Sequence, residues 1–162
     1  MDRLWSPWRN KYVADNSAAS ADSVCVFCDI QSDATKDEEN FVVHRARYNF
    51  IVLNLHPYTT GHLLIVPYEH IGQLGATPKQ TTDELMDLAK RSQTVLQDVY
   101  KPRGFNLGMN LGEAAGAGIQ HHLHLHVMPR WIGDTNFMTT VAETRVLPED
   151  LPTTYQKLKD KF

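Results

Sequence analysis

The residues best suited to chemistry lie close together in the run HHLHLHVMPRW, where His122, His124 and His126 alternate with Leu123, Leu125 and Val127. Alternation of period two belongs to a β-strand, so the three imidazoles are expected on one face. The three apolar side chains then bury on the other face and hold the rings rigidly. Stacking three titratable rings has a cost that core packing does not require, so their joint presence points to function. A neutral imidazole with one nitrogen fixed by a hydrogen bond offers its other nitrogen as a nucleophile without first shedding a proton. The only two cysteines, Cys25 and Cys28, form a second reactive pair spaced C-x-x-C. In a reducing compartment that spacing serves metal binding or redox chemistry, and no thioredoxin-like βαβ pattern surrounds it.

Elements to position these groups can be read along the chain. FVVHRA, NFIVLN and HLLIVP are short β-rich runs separated by turn-formers such as HPYTTGH, and FNLGMN and HLHLHVM supply two more strands. Thr81-x-x-Glu84 resembles a capping box. Leu85, Leu88, Ala89, Val95, Leu96 and Val99 then recur at helical spacing until Pro102 and Gly104 stop the pattern. Leu151, Tyr155, Leu158 and Phe162 predict a short amphipathic C-terminal helix. The expected fold is α+β: a mostly antiparallel five-stranded sheet with one long helix and a short C-terminal one.

A length of 162 residues at 42% hydrophobic content suits one domain. We divide it into an N-terminal extension and linker over 1–24, a core domain over 25–137, and a C-terminal extension over 138–162 packed on the same domain. The formal net charge of −3 argues against nucleic acid as a partner, so a bound polyanion should be small. No apolar run approaches a membrane span and the first residues are not signal-like, so the chain reads as cytoplasmic.

The spacing His122-Leu123-His124-Leu125-His126-Val127-Met128 resembles the signature of the histidine triad family, His-φ-His-φ-His-φ-φ with φ apolar. CVFCDI, LNLHPYTTGHLLIVPYEH, NLGEAAGAG and MPRW fall in the family's order. The LW-x-PWR opening, AGAGI and PRW-x-GDTNFM resemble a bacterial branch related to diadenosine tetraphosphate phosphorylases. The resemblance implies a commonly dimeric domain that binds a purine nucleotide at the triad. It implies that His124 attacks the α-phosphorus to give a nucleotidyl-histidine intermediate, released by water or inorganic phosphate. His126 would contact the phosphoryl oxygens or leaving group, and His62 would orient the triad. Asn54 falls where relatives hold the ribose hydroxyls and Asn110 near the phosphates, although both also suit turns. Gly116 and Gly118 belong to a loop whose backbone N–H groups can approach an anion. Many relatives place Gln or Ser just before the triad, where this chain has Gly118 and Ile119, with Gln120 or His121 as substitutes. A zinc-containing branch joins its C-x-x-C to two histidines, which here are His70 and His122. With Cys25 and Cys28 they make a closed Cys₂His₂ set for structural zinc, one that would not activate water.

The expected activity is hydrolysis or phosphorolysis of dinucleoside polyphosphates. The alternatives are a nucleoside phosphoramidate hydrolase, a nucleotide sensor with incidental turnover, and a metal-binding interaction module that has no need of a complete triad. Trp5, Trp8 and Phe137 suit a homodimer or larger homo-oligomer, or burial within one chain.

Overall fold

Short apolar runs punctuated by turn residues form five strands: β1 (Val42–Arg45), β2 (Asn49–Leu53), β3 (Leu63–Pro67), β4 (Gly104–Gly108) and β5 (Leu125–Arg130). They make one sheet in the order β1-β2-β3-β5-β4, and every neighbouring pair is antiparallel. The computed structural model describes residues 25–136, 138–139, 144 and 146–162. Trp5, Trp8, Phe137 and the N-terminal linker lie outside the described residues.

Among the described residues, three α-helices pack on this sheet: α1 (Val26–Ser32), α2 (Lys79–Tyr100) and α3 (Leu151–Leu158). The long helix α2 turns Leu85, Leu88, Ala89, Val95 and Leu96 onto one sheet face, against Ile51, Leu53, Leu63, Ile65, Leu125 and Val127. Tyr155 and Leu158 of α3 join this core. The opposite face holds a smaller core in which Phe27 and Ile30 of α1 meet Val42, Phe50, Val52, Leu64 and Val66. Because β2 and β3 are covered on both faces, they read as continuous apolar runs rather than alternating ones. No helix among the described residues is long and apolar enough to cross a membrane.

One local expectation needs correction. The capping box does not form: α2 begins at Lys79 after Pro78, without a side-chain cap, and Thr81 is buried inside its first turn. Glu84 instead accepts bonds from the backbone N–H groups of Arg47 (3.1 Å) and Tyr48 (2.7 Å) and from Asn49 Nδ2 (2.8 Å). It clasps the β1–β2 turn to the helix, a long-range task that competes with local capping. α1 was not anticipated, because periodicity over so few residues does not reveal a helix.

The clasp gives a first prediction. Glu84→Ala leaves the fully buried Asn49 amide and two backbone donors without their charged acceptor, so stability should fall by about 2–3 kcal/mol. Urea unfolding should show a lowered midpoint at unchanged slope.

Candidate active site

The three histidines do not all sit on one strand. β5 begins at Leu125, so only His126 belongs to it, and His122 and His124 lie in the irregular segment just before. That segment is held by the Leu123 N–H, which donates to Ile71 O at 2.7 Å, while Gln120 packs against Gly72. A Cβ at position 72 would lie 2.7 Å from the Gln120 carbonyl oxygen, so glycine is needed for the approach. His126 pairs with Leu64 in register, which puts it on the α1 side of the sheet. Its ring centroid lies 5.0 Å from that of His124.

Hydrogen bonds fix which nitrogen of each ring carries the proton. His124 Nδ1–H donates to the His122 carbonyl at 2.9 Å, which leaves the Nε2 lone pair available. The Tyr58 backbone N–H donates to His62 Nδ1 at 3.1 Å, so His62 carries its proton on Nε2 and donates it to His126 Nδ1 at 2.9 Å. His126 therefore bears its own proton on Nε2, a buried atom with no hydrogen-bond partner among the described residues. A lone pair and an N–H donor thus stand on neighbouring rings.

His124 and His126 form one wall of a cavity of about 280 Å³, near the lower end of the roughly 300–1,000 Å³ typical of ligand pockets. Asn54, Asn110, Gly116 and Gly118 line the same cavity. Asn54 Oδ1 also accepts the His56 N–H at 2.9 Å, and Asn110 Nδ2 donates to Gly116 O at 3.3 Å, so both hold loop shape as well as facing the space. Gln120 and His121 are not part of the wall, and His62 stands behind His126 rather than in it. The apolar end is built by Val26, Phe27, Ile30, Leu64 and Ile119. Sequence reasoning missed the α1 contribution, for which Val26, Phe27 and Ile30, spaced i, i+1, i+4 around the cysteines, are too short a pattern to give a helical signal.

Burial shifts the triad toward the neutral form. It pushes His122 and His124 below the ordinary histidine value, against the opposing effect of their carbonyl acceptors. Burial, with repulsion from His124, lowers His126 to about 4. The unfolded chain then binds more protons than the folded one between pH 6.5 and about 4. This contribution to stability is complete above pH 6.5 and is lost as pH falls toward 4. For His126 alone the loss at pH 5 should be about 2 kcal/mol, read as a lowered urea midpoint, and His126→Gln should flatten that pH dependence.

Beside the triad, Cys25, Cys28, His70 and His122 bring their donor atoms within 4.8 Å of one another. Cys25 Sγ lies 3.3 Å from His122 Nδ1, and Cys28 Sγ lies 3.2 Å from His70 Nδ1 and 3.6 Å from His122 Nδ1. Ligand bonds of about 2.3 Å to sulfur and 2.0–2.1 Å to nitrogen in a tetrahedron separate the two donors by about 3.6 Å. The cluster fits that edge. His122 Nε2–H donates to Pro67 O at 2.8 Å, which leaves Nδ1 as the ring atom able to ligate a metal.

The model of the family described as the HIT domain matches residues 35–131. The chain belongs to the histidine triad family. The match covers the triad, His62 and His70 and leaves out Cys25 and Cys28. An AP-4-A phosphorylase of Mycobacterium tuberculosis is 39% identical over 167 aligned positions, covering 100% of this chain and 85% of the relative. A histidine triad family protein of Mycobacterium smegmatis, solved in zinc-bound form, has a TM-score of 0.67 at 28% identity and covers 83% of this chain and 90% of that one. A hypothetical histidine triad nucleotide-binding protein of Sulfolobus tokodaii also gives 0.67, at 25% identity, over 85% and 91% of the two chains.

Proposed function

We propose that this histidine triad protein is a nucleotidyl-transferring enzyme that cleaves dinucleoside polyphosphates of the diadenosine tetraphosphate type, with inorganic phosphate as the leading acceptor and water as the alternative. The observation that carries the reading is the hydrogen bonding that assigns the two tautomers, a His124 Nε2 lone pair beside a His126 Nε2–H, on two rings that line one cavity. The phosphorylase relative supports the substrate class and the acceptor.

His124 Nε2 attacks the α-phosphorus and forms an N–P bond as the P–O bond to the rest of the phosphate chain breaks, with the electron pair leaving on that oxygen. A polyphosphate leaves as a stable anion, so His126 Nε2–H need only donate a hydrogen bond to the oxygen on which charge develops. His62 positions His126 by holding its Nδ1 as an acceptor. The acceptor oxygen then attacks the same phosphorus, the P–N bond breaks, and Nε2 regains its lone pair. No carboxylate lines the cavity among the described residues. A phosphate dianion needs no general base, whereas water must lose a proton, which supports phosphate as acceptor.

The apolar end of the cavity takes the purine, Asn54 the ribose hydroxyls, and Asn110 with the Gly116 and Gly118 backbone the phosphates. Gln120 acts on the substrate only through the loop it anchors. Residues 25–137 form the catalytic domain, and 138–162 an extension packed on it. Cys25, Cys28, His70 and His122 hold a structural zinc, whose chemistry is to cross-link the N-terminal segment to the triad. The chain works as a homodimer or higher homo-oligomer in the cytoplasm.

Incubation with diadenosine tetraphosphate, with and without inorganic phosphate, tests the reading. ADP and ATP formed only when phosphate is added are expected. AMP and ATP formed without phosphate would instead establish hydrolysis, and absence of turnover would favour the nucleotide-sensing alternative. A nucleoside phosphoramidate run in parallel should be the poorer substrate.

A further inference from the structure

The two centres share a side chain. Phe27 stands between the two cysteines in sequence, in the first turn of α1, and is 4% exposed. Its ring centroid lies 5.3 Å from that of the metal-site residue His122, at 76°, and 5.1 Å from that of His124, at 57°. A seven-residue helix does not hold itself in place, so α1 depends on its attachments. Its C-terminal end is gripped by Arg45, which donates to Ile30 O and Gln31 O at 3.2 Å each while pairing with Asp37 at 2.7 Å. Its N-terminal end has no side-chain cap, and there Cys25 and Cys28 reach the metal-site cluster. Phe27 is thus the core side chain between the two tether points, and it packs on the ring that must aim Nε2.

We propose that Phe27 is a positioning residue that couples the metal site to the nucleophile, so that occupancy of the Cys₂His₂ cluster and nucleotide binding at His124 strengthen one another. A metal holding Cys25 and Cys28 fixes the first turn of α1 and presses Phe27 against His124. A nucleotide filling the cavity meets the same ring, since Phe27 and His124 both line that space. Linkage requires the coupling to be reciprocal, so the effect is readable at the metal as well as at the nucleotide.

The inference rests on the nucleotide reading above, and the experiment separates the two. The full chain is loaded with cobalt(II), and cobalt affinity is measured by chelator competition, read from the visible absorption of the bound ion, with and without AMP. Equilibrium dialysis of labelled AMP on the same samples gives nucleotide occupancy. At saturating AMP, cobalt affinity should rise at least about 5-fold in the wild type. In Phe27→Leu, with AMP raised until it is equally saturated, the rise should fall below about 2-fold. Phe27→Met, a flexible side chain of nearer volume, serves if Phe27→Leu does not fold, with the same expectation. Bound AMP without a change in cobalt affinity in the wild type overturns the coupling. An undiminished rise in the variant overturns the role of Phe27. No AMP bound to cobalt-loaded wild type means that the nucleotide reading has failed, and the inference falls with it.

Discussion

His124→Ala is expected to lower turnover of a dinucleoside polyphosphate by at least about a thousandfold while nucleotide affinity stays within a few-fold of wild type. The proposed route has no substitute nucleophile. His126 Nδ1 is taken up by His62, and its Nε2 carries the proton, so the neighbouring ring cannot offer a lone pair without breaking that arrangement. Removing a group that forms the covalent intermediate eliminates the pathway rather than weakening one contact, so losses of this order are usual. Binding survives because the apolar end and the Asn54 and Asn110 loops are built from other elements. Single-turnover kinetics and equilibrium dialysis on the same preparation check both halves. Activity retained by the variant would remove His124 from the mechanism.

The second large effect is expected at the metal cluster. Cys28→Ser, or stripping with a strong chelator, should lower the thermal midpoint by roughly 8–16 °C. A site filled at a thousand times its dissociation constant stabilises by about 4 kcal/mol, and a domain of this size shifts by roughly 2–4 °C per kcal/mol. The structural argument is that the four donors come from distant parts of the chain: the start of α1, the segment after β3 and the segment before β5. A metal joining them closes long loops and ties α1 to the sheet. Arg45 holds only the far end of that helix. Calorimetry of metal-loaded and stripped protein, with metal content measured on each sample, reads the shift. An unchanged midpoint in a protein shown to lose its metal would contradict the structural role.

Much of this was legible because it rests on strong local patterns. The runs NFIVL and LLIVP are too apolar and too rich in branched residues to be anything but buried strands, and their positions hold. The long helix was written in the spacing of Leu85, Leu88, Ala89, Val95 and Leu96. The joining of Cys25, Cys28, His70 and His122 followed from family resemblance, since nothing local in the sequence says that residues up to 97 positions apart will meet.

What escaped the sequence was set by tertiary contacts. Glu84 looked like a cap and became a clasp because the β1–β2 turn offered it three donors. α1 was hidden because a short helix is decided by what it docks against, here Phe50, Val52 and Leu64. The strict alternation of the histidines suggested a strand starting three residues too early, at His122, since the ladder to β3 starts only at Leu125. The tautomers could not be read at all, because they depend on the His122 carbonyl and on the Tyr58 N–H.

The central claim is that the nucleotidyl group passes through His124, and the stereochemical course at the α-phosphorus tests it most directly. A dinucleoside polyphosphate made chiral at that phosphorus by sulfur and an oxygen isotope is turned over with its acceptor, and the configuration of the thionucleotide product is compared with that of the substrate. Two successive in-line displacements, one by His124 and one by the acceptor, predict retention. Inversion would mean direct attack by the acceptor and would contradict the account.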